Sequence, residues 1–243
     1  MKTITISRQY GSGGRHIAAL LSEKMGVPCY DSKLLLKEAE RHGISQEIIN
    51  EFKGKTSLLY AIGVMMSEES QDKKRLTIPE KMFHAQKETV KRLAQEGPCI
   101  FVGRCADQIL KDDNQLLRVY IYASDMEDRI KRIKKNKHIS QREALDRIAY
   151  KDRQRRDYYN FYTGHEWGNM ENYDICLNTS VLSEDECVEL LMKLAEEKSI
   201  KYDHKRIRKD CQSNMAVLSV GVSADYSACF LVCNNMISGS DTF

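Results

Sequence analysis

The feature that most constrains the fold lies at the start of the chain. Thr3-Ile4-Thr5-Ile6-Ser7 alternates β-branched residues with the period of a strand. The glycine-rich run Tyr10-Gly11-Ser12-Gly13-Gly14 follows it, and then Ile17, Leu20, Leu21 and Met25 recur on one 3.6-residue face up to Gly26. A glycine turn between a strand and a helix lets backbone N–H groups converge at the helix N-terminus, where the dipole favours negative charge. That context points to phosphate. The wording of the motif is looser. Laid on Gly-x-x-x-x-Gly-Lys-Ser/Thr, the window Arg8 to Arg15 keeps Gly13 but has Arg8 at the first glycine, Gly14 at the lysine and Arg15 at the hydroxyl. The dinucleotide pattern Gly-x-Gly-x-x-Gly fits Gly11 and Gly13, puts His16 at the third glycine and leaves Asp31 at a distance suited to a ribose contact. A tight turn with no ligand is the plainer alternative.

Downstream, strand character returns at 27–30, 98–103, 116–122 and 173–178, and helical periods fill 33–41, 104–111, 126–135, 141–156 and 184–197. Asp31 and Ser32 stand where the first of these helices needs an N-cap. Strands separated by helices predict an α/β fold, a parallel sheet covered on both faces. The mainly helical stretch at about 32–97 is too long for a simple crossover and is expected as an insertion beside the ligand cleft. A chain of 243 residues with 42% hydrophobic content buries a core without staples, which excludes disorder. Its eight cysteines form no Cys-x-x-Cys cluster and are expected as reduced thiols. Six histidines without i, i+4 pairing give a protein-held zinc site little support. No window approaches a membrane span, and Met1 to Arg8 lacks the apolar core of a signal peptide, so the expected location is cytoplasmic.

The net charge of +3 hides a division. Residues 129–156 hold twelve Lys or Arg against Glu143, Asp146 and Asp152, a balance of +9, which leaves −6 for the remainder. Arg147, Lys151 and Arg155 recur at i, i+4 and i+8, and Asp152 and Arg156 form a further i, i+4 pair. Phosphoryl transfer needs such cations to neutralise the moving group. Two alternatives stay open: a solvated basic face, and a nucleic-acid surface using the neighbouring Tyr158, Tyr159, Phe161 and Tyr162. Residues 210–243 contain no Lys or Arg and three of the cysteines, and are expected as a tail, either disordered or an edge strand, appended to a core of 1–209.

Four segments taken together, Ile4 to Ala18, Phe101 to Asp107, Tyr158 to Gly164 with Trp167-Gly168, and Glu171 to Ser180, resemble the cytidylate kinase-like family, P-loop proteins related to the nucleoside monophosphate kinases. The resemblance implies a P-loop NTPase fold, three-layer α/β/α with a five-stranded parallel sheet, a helical acceptor-binding insertion and a mobile arginine-rich lid at about 138–170. It implies ATP with Mg2+, and a nucleoside monophosphate as acceptor, with no membrane partner. Gly11, Ser12, Gly13, Gly14 and Arg15 would cradle the donor phosphates. Asp31, Lys37, Arg104 and Asp152 match acceptor-side and lid positions, and Arg155 and Arg156 would close over the transferred group with Arg15. Where the family's kinases carry Gly-Ser-Gly-Lys-Ser, this chain has Gly14 and Arg15 at the last two places, and Gly103-Arg104-Cys105 loses the carboxylate of Gly-Arg-Asp. Losing one preorganised cation costs about 3 kcal/mol in the transition state. Arg15 or Arg8 must then supply the charge, and Ser12 or water the link to magnesium. A nucleotide-binding module with little or no kinase activity is the alternative.

Overall fold

The computed structural model describes residues 1–34, 78–137 and 139–196. Lys37, most of the expected insertion and the tail 210–243 lie outside the described residues. In chain order the elements are β1 (Thr3–Arg8), α1 (Gly14–Met25), β2 (Cys29–Tyr30), α2 (Ile78–Glu96), β3 (Ile100–Val102) and α3 (Ala106–Ile109). They continue with β4 (Leu116–Tyr122), α4 (Met126–Lys137), α5 (Gln141–Thr163), a 3-10 turn (Met170–Asn172), β5 (Ile175–Asn178) and α6 (Glu184–Glu196). The five strands form one sheet in the order β2-β3-β1-β4-β5, and each neighbouring pair is parallel.

Strand pleating sorts the core into two layers of contact. Ile4 and Ile6 of β1, Ile100 and Val102 of β3 and Val119 and Ile121 of β4 pack against Ile17 and Leu21 of α1 and Val188 and Leu191 of α6. Each such side chain taken wholly out of water contributes about 1.5–3 kcal/mol. The alternate residues face the other way, where Phe101 meets Val90 and Leu93 of α2 and Tyr120 meets Tyr159, Trp167 and Tyr173. Helices on both faces complete the expected three layers. α4 and α5 pack on each other through Ile130, Ile133, Ala144 and Ile148.

β1 runs between β3 and β4, so the chain order reverses across it and its C-terminal end opens into a crevice, the usual ligand position in such sheets. Two expected helices change their limits. The helix expected at 104–111 begins only at Ala106, because Gly103, Arg104 and Cys105 stand consecutively in the left-handed region at φ 79°, 59° and 58°. Two non-glycine residues there store about 1–3 kcal/mol each. The helix expected at 141–156 instead runs on to Thr163 and stops at Gly164, which puts Tyr158, Tyr159, Phe161 and Tyr162 on the same rod as the lid arginines. Its start carries a full capping box between Ser140 and Glu143.

Candidate phosphate-binding site

The glycine turn joins β1 to α1. Gly11 and Gly13 hold φ of 82° and 78°, which only glycine adopts without strain, and Gly13 caps α1 with no side-chain hydrogen bond to its first amides. The His16 amide donates to the Gly13 carbonyl at 2.8 Å and the Glu184 carboxylate stands against Gly13; the amides ahead of His16 have no partner within the helix, an arrangement suited to an anion. For the link to magnesium in place of the lost hydroxyl, the sequence offers either water or Ser12. Its side chain is fully buried, its Oγ 3.0 Å from the Gln9 carbonyl and 3.1 Å from that of Ile121. The turn thus supplies no side-chain oxygen to a magnesium ion, and the described residues contain no cluster of three or more His, Cys, Asp or Glu able to hold one.

The turn is gripped from the side of α4 and α5. Arg129 Nε donates to the Tyr10 carbonyl at 2.8 Å, and its Nη2 pairs with Asp152. Asp152 Oδ1 accepts from the Tyr10 amide at 2.7 Å and from Arg155 Nη1 at 3.3 Å. Arg132 donates to the Gly11 carbonyl at 3.4 Å and to that of Thr179 at 2.7 Å. α4 lies so close that a Cβ on Gly11 would sit 2.9 Å from the Arg129 carbonyl oxygen. Arg129 and Arg132, two of the twelve cations in the basic segment, are therefore spent inside the protein. Sequence spacing singled out neither. The one available signal was their place in the +9 segment.

Of the other expected residues, Arg155 lies at the turn: its Nη1 donates to the Arg8 carbonyl at 3.2 Å, and its guanidinium stands 5.5 Å from the Tyr10 ring centre. Burial lowers its pKa first of all, with Asp152 opposing. Arg156 is exposed, and the expected Asp152–Arg156 pair is replaced by Asp152 with Arg129 and Arg155. Asp152, expected on the substrate, has its carboxylate occupied by those three protein donors. Arg147 and Lys151 are exposed too, so the expected basic face shares only Arg155 with the site.

Arg15 reaches across to Asp31 at 2.5 Å and its side chain is 72% exposed. Asp31 also accepts from the amides of Lys33 and Leu34 at 2.9 and 3.1 Å, the cap expected at this helix start. Burial raises the Asp31 pKa, but those amides and Arg15 together outweigh it and hold the carboxyl below its ordinary value. Arg15 and Asp31 line one open hollow with Ala19, Ser22, Cys29 and Val102. On the other side, Arg104 lies 5.0 Å over the Tyr158 ring, Tyr158 donates to Gln86 at 3.1 Å, and Phe83 stacks on Tyr162 at 4.1 Å. Tyr159 donates to the buried Asp107 at 2.6 Å, tying α5 to α3.

Arg8 occupies the centre. A Cβ on Gly14 would lie 2.8 Å from Arg8 Cβ and 3.2 Å from its Cγ, and a Cβ on Gly103 would collide with Arg8 Nη1. The side chain thus passes over the lysine position of the motif and ends against the turn that carries Arg104. Burial first, then Arg155, Arg104 and Arg15, lower its pKa to about 9.

A parallel sheet in this order, with an uncapped glycine turn at the end of its central strand, defines an α/β protein with the P-loop kinase fold. The profile of the cytidylate kinase-like family matches residues 3–181, and the chain belongs to that family. It is 27% identical over 211 residues to a protein named cytidylate kinase from Archaeoglobus fulgidus, covering 83% of this chain and 99% of that one. Among solved structures, an uncharacterized protein from Eubacterium ventriosum superposes with a TM-score of 0.63 at 22% identity, over 82% of this chain and all of that one. A shikimate kinase from Acinetobacter baumannii aligns at a TM-score of 0.43 and 12% identity, over 83% of this chain and 96% of that one.

Proposed function

We propose that the protein is a nucleotide kinase that transfers the γ-phosphoryl group of ATP to a nucleoside monophosphate, with a cytidylate-like acceptor. The observation that carries this reading is the uncapped glycine turn facing Arg155 on one side and the Arg104 arm on the other. Membership of the cytidylate kinase-like family and the named archaeal relative support the acceptor class. In the reaction the bond from the γ-phosphorus to the β–γ bridging oxygen breaks, and its electron pair leaves with ADP. An anionic oxygen of the acceptor phosphate forms the new bond, so no proton has to be removed. Positioning and charge neutralisation then supply most of the rate.

The backbone cradle and the arginines suit the donor's phosphates. Magnesium would arrive bound to ATP, and no side chain is assigned to it. Asp31, Lys37 and Arg104 are proposed on the acceptor side, Gly11 to Arg15 on the donor side, and Arg155 over the transferred group. Asp152 is proposed to position Arg155 and the turn. The core is proposed as 1–209, with 210–243 appended.

The test is purified protein with ATP, magnesium and a panel of nucleoside monophosphates, scored for diphosphate product and for thermal stabilisation. Product with one or more acceptors is expected. Stabilisation by ATP without product would replace the kinase with a nucleotide-binding module. Binding of RNA or DNA with steep salt dependence, and of no free nucleotide, would replace both.

A further inference from the structure

We propose that Arg8, at the end of the central strand, is the cation that replaces the missing lysine of the glycine turn and contacts the phosphate passing between the donor and acceptor sides. The proposal rests on the kinase reading for the identity of the anion, but not for its existence. Three observations converge on it.

The first is space. Gly14 has no side chain, and the volume its Cβ would fill is taken by the stem of Arg8. A lysine at position 14 and an arginine at position 8 exclude each other. Glycine at 14 is therefore part of the same arrangement as arginine at 8, a cation carried by the strand instead of the helix.

The second is reach. The Arg8 side chain starts beside Gly14 on the donor side and ends at Gly103, next to Arg104 on the acceptor side. Its carbonyl is also the atom that Arg155 holds at 3.2 Å. One residue thus touches the donor turn, the acceptor arm and the lid.

The third is the lack of a partner. Among the described residues the half-buried Arg8 guanidinium makes no hydrogen bond or ion pair, while Arg155, Arg104 and Arg15 all repel it. The neighbouring carboxylates are committed elsewhere, Asp31 to Arg15 and two amides, Asp152 to Arg129, Arg155 and Tyr10. A charge that costs stability in the empty protein is well placed to gain it from an anion. Guanidinium geometry also permits a bidentate grip on phosphate, which an ammonium lacks.

Inorganic tripolyphosphate without magnesium is the probe, read by calorimetry and by the shift in unfolding temperature. Arg8→Met keeps the stem against Gly14 and removes the charge. Its unliganded melting temperature should equal or exceed that of the parent protein, while tripolyphosphate affinity falls at least tenfold and kcat/KM for phosphoryl transfer falls about a hundred- to a thousand-fold. Arg8→Lys should lose less affinity than Arg8→Met, and Lys135→Met, an exposed charge control, should lose none. In the Arg8→Gly background, where both the Cβ and the stem are removed, Gly14→Lys should restore part of the affinity. A double variant as weak as Arg8→Gly overturns the proposal, as does a parent protein that does not bind tripolyphosphate. Turnover and binding unchanged in Arg8→Met would overturn it and leave the kinase reading standing. Arg8-dependent tripolyphosphate binding with no acceptor phosphorylated would remove the kinase reading and leave Arg8 as the phosphate cation.

Discussion

Asp152 shows how much one side chain can hold. Its carboxylate joins the Tyr10 amide of the glycine turn to Arg129 of α4 and Arg155 of its own helix. The Arg129 and Asp152 side chains are 6% and 12% exposed, so breaking their pair strands a charge in the interior. Asp152→Ala should destabilise the protein by about 3–5 kcal/mol, read from denaturant unfolding. The sequence marked Asp152, but with the wrong partner. An i, i+4 rule on one helix pairs it with Arg156, whereas the stronger claim comes from Arg129, 23 residues away on another helix. Long-range ion pairs leave no periodic trace, and for that reason Arg129 and Arg132 were legible only as members of a charged run.

Helices and strands were far more readable, because period and order are local properties. β4 and the start of α4 fall on the expected residues, as does the strand–turn–helix at the N-terminus. The misjudged ends have specific causes. Left-handed Arg104 and Cys105 delay α3, and the aromatic run after Arg156 reads as a separate motif although the helix simply continues. That continuation links α5 to α3 through Tyr159 and Asp107. Burial raises the Asp107 pKa, and the Tyr159 hydrogen bond only partly opposes it. The folded carboxyl therefore binds its proton more tightly than the unfolded one. Its contribution to stability is full below the ordinary value of 3.8 and is lost as pH rises through the raised folded value. The stability difference between parent and Asp107→Asn should change in that direction across a pH series of unfolding curves, and a flat difference would contradict it. At pH below the ordinary carboxyl value, Asp107→Ala should cost about 1–3 kcal/mol by leaving the Tyr159 hydroxyl without its acceptor, and the cost should shrink as pH rises.

Across the whole molecule, the described sheet and the helices on its two faces lie within residues 3–196, and no helix among the described residues is long and apolar enough to cross a membrane. A chain ended after residue 209 should fold with the parent's melting temperature within about 2 °C, the scale of roughly 0.5–1 kcal/mol for a domain of this size. A large drop would mean that 210–243 belongs to the core. The parallel sheet follows from the alternation of strands and helices, and its five strands from the family resemblance, whereas their order and the site's wiring, which depends on which cations turn inward, were read only from the structure. α5 carries a wider consequence. It is one rod of 23 residues, about 35 Å at 1.5 Å per residue, bonded to the end of β1 and its glycine turn at Asp152 and Arg155 and to α2 and α3 at Tyr158 and Tyr159. A stiff beam anchored at two places cannot tilt at one without loading the other. Whatever fills one half of the crevice sets the mechanical preload felt by the other half.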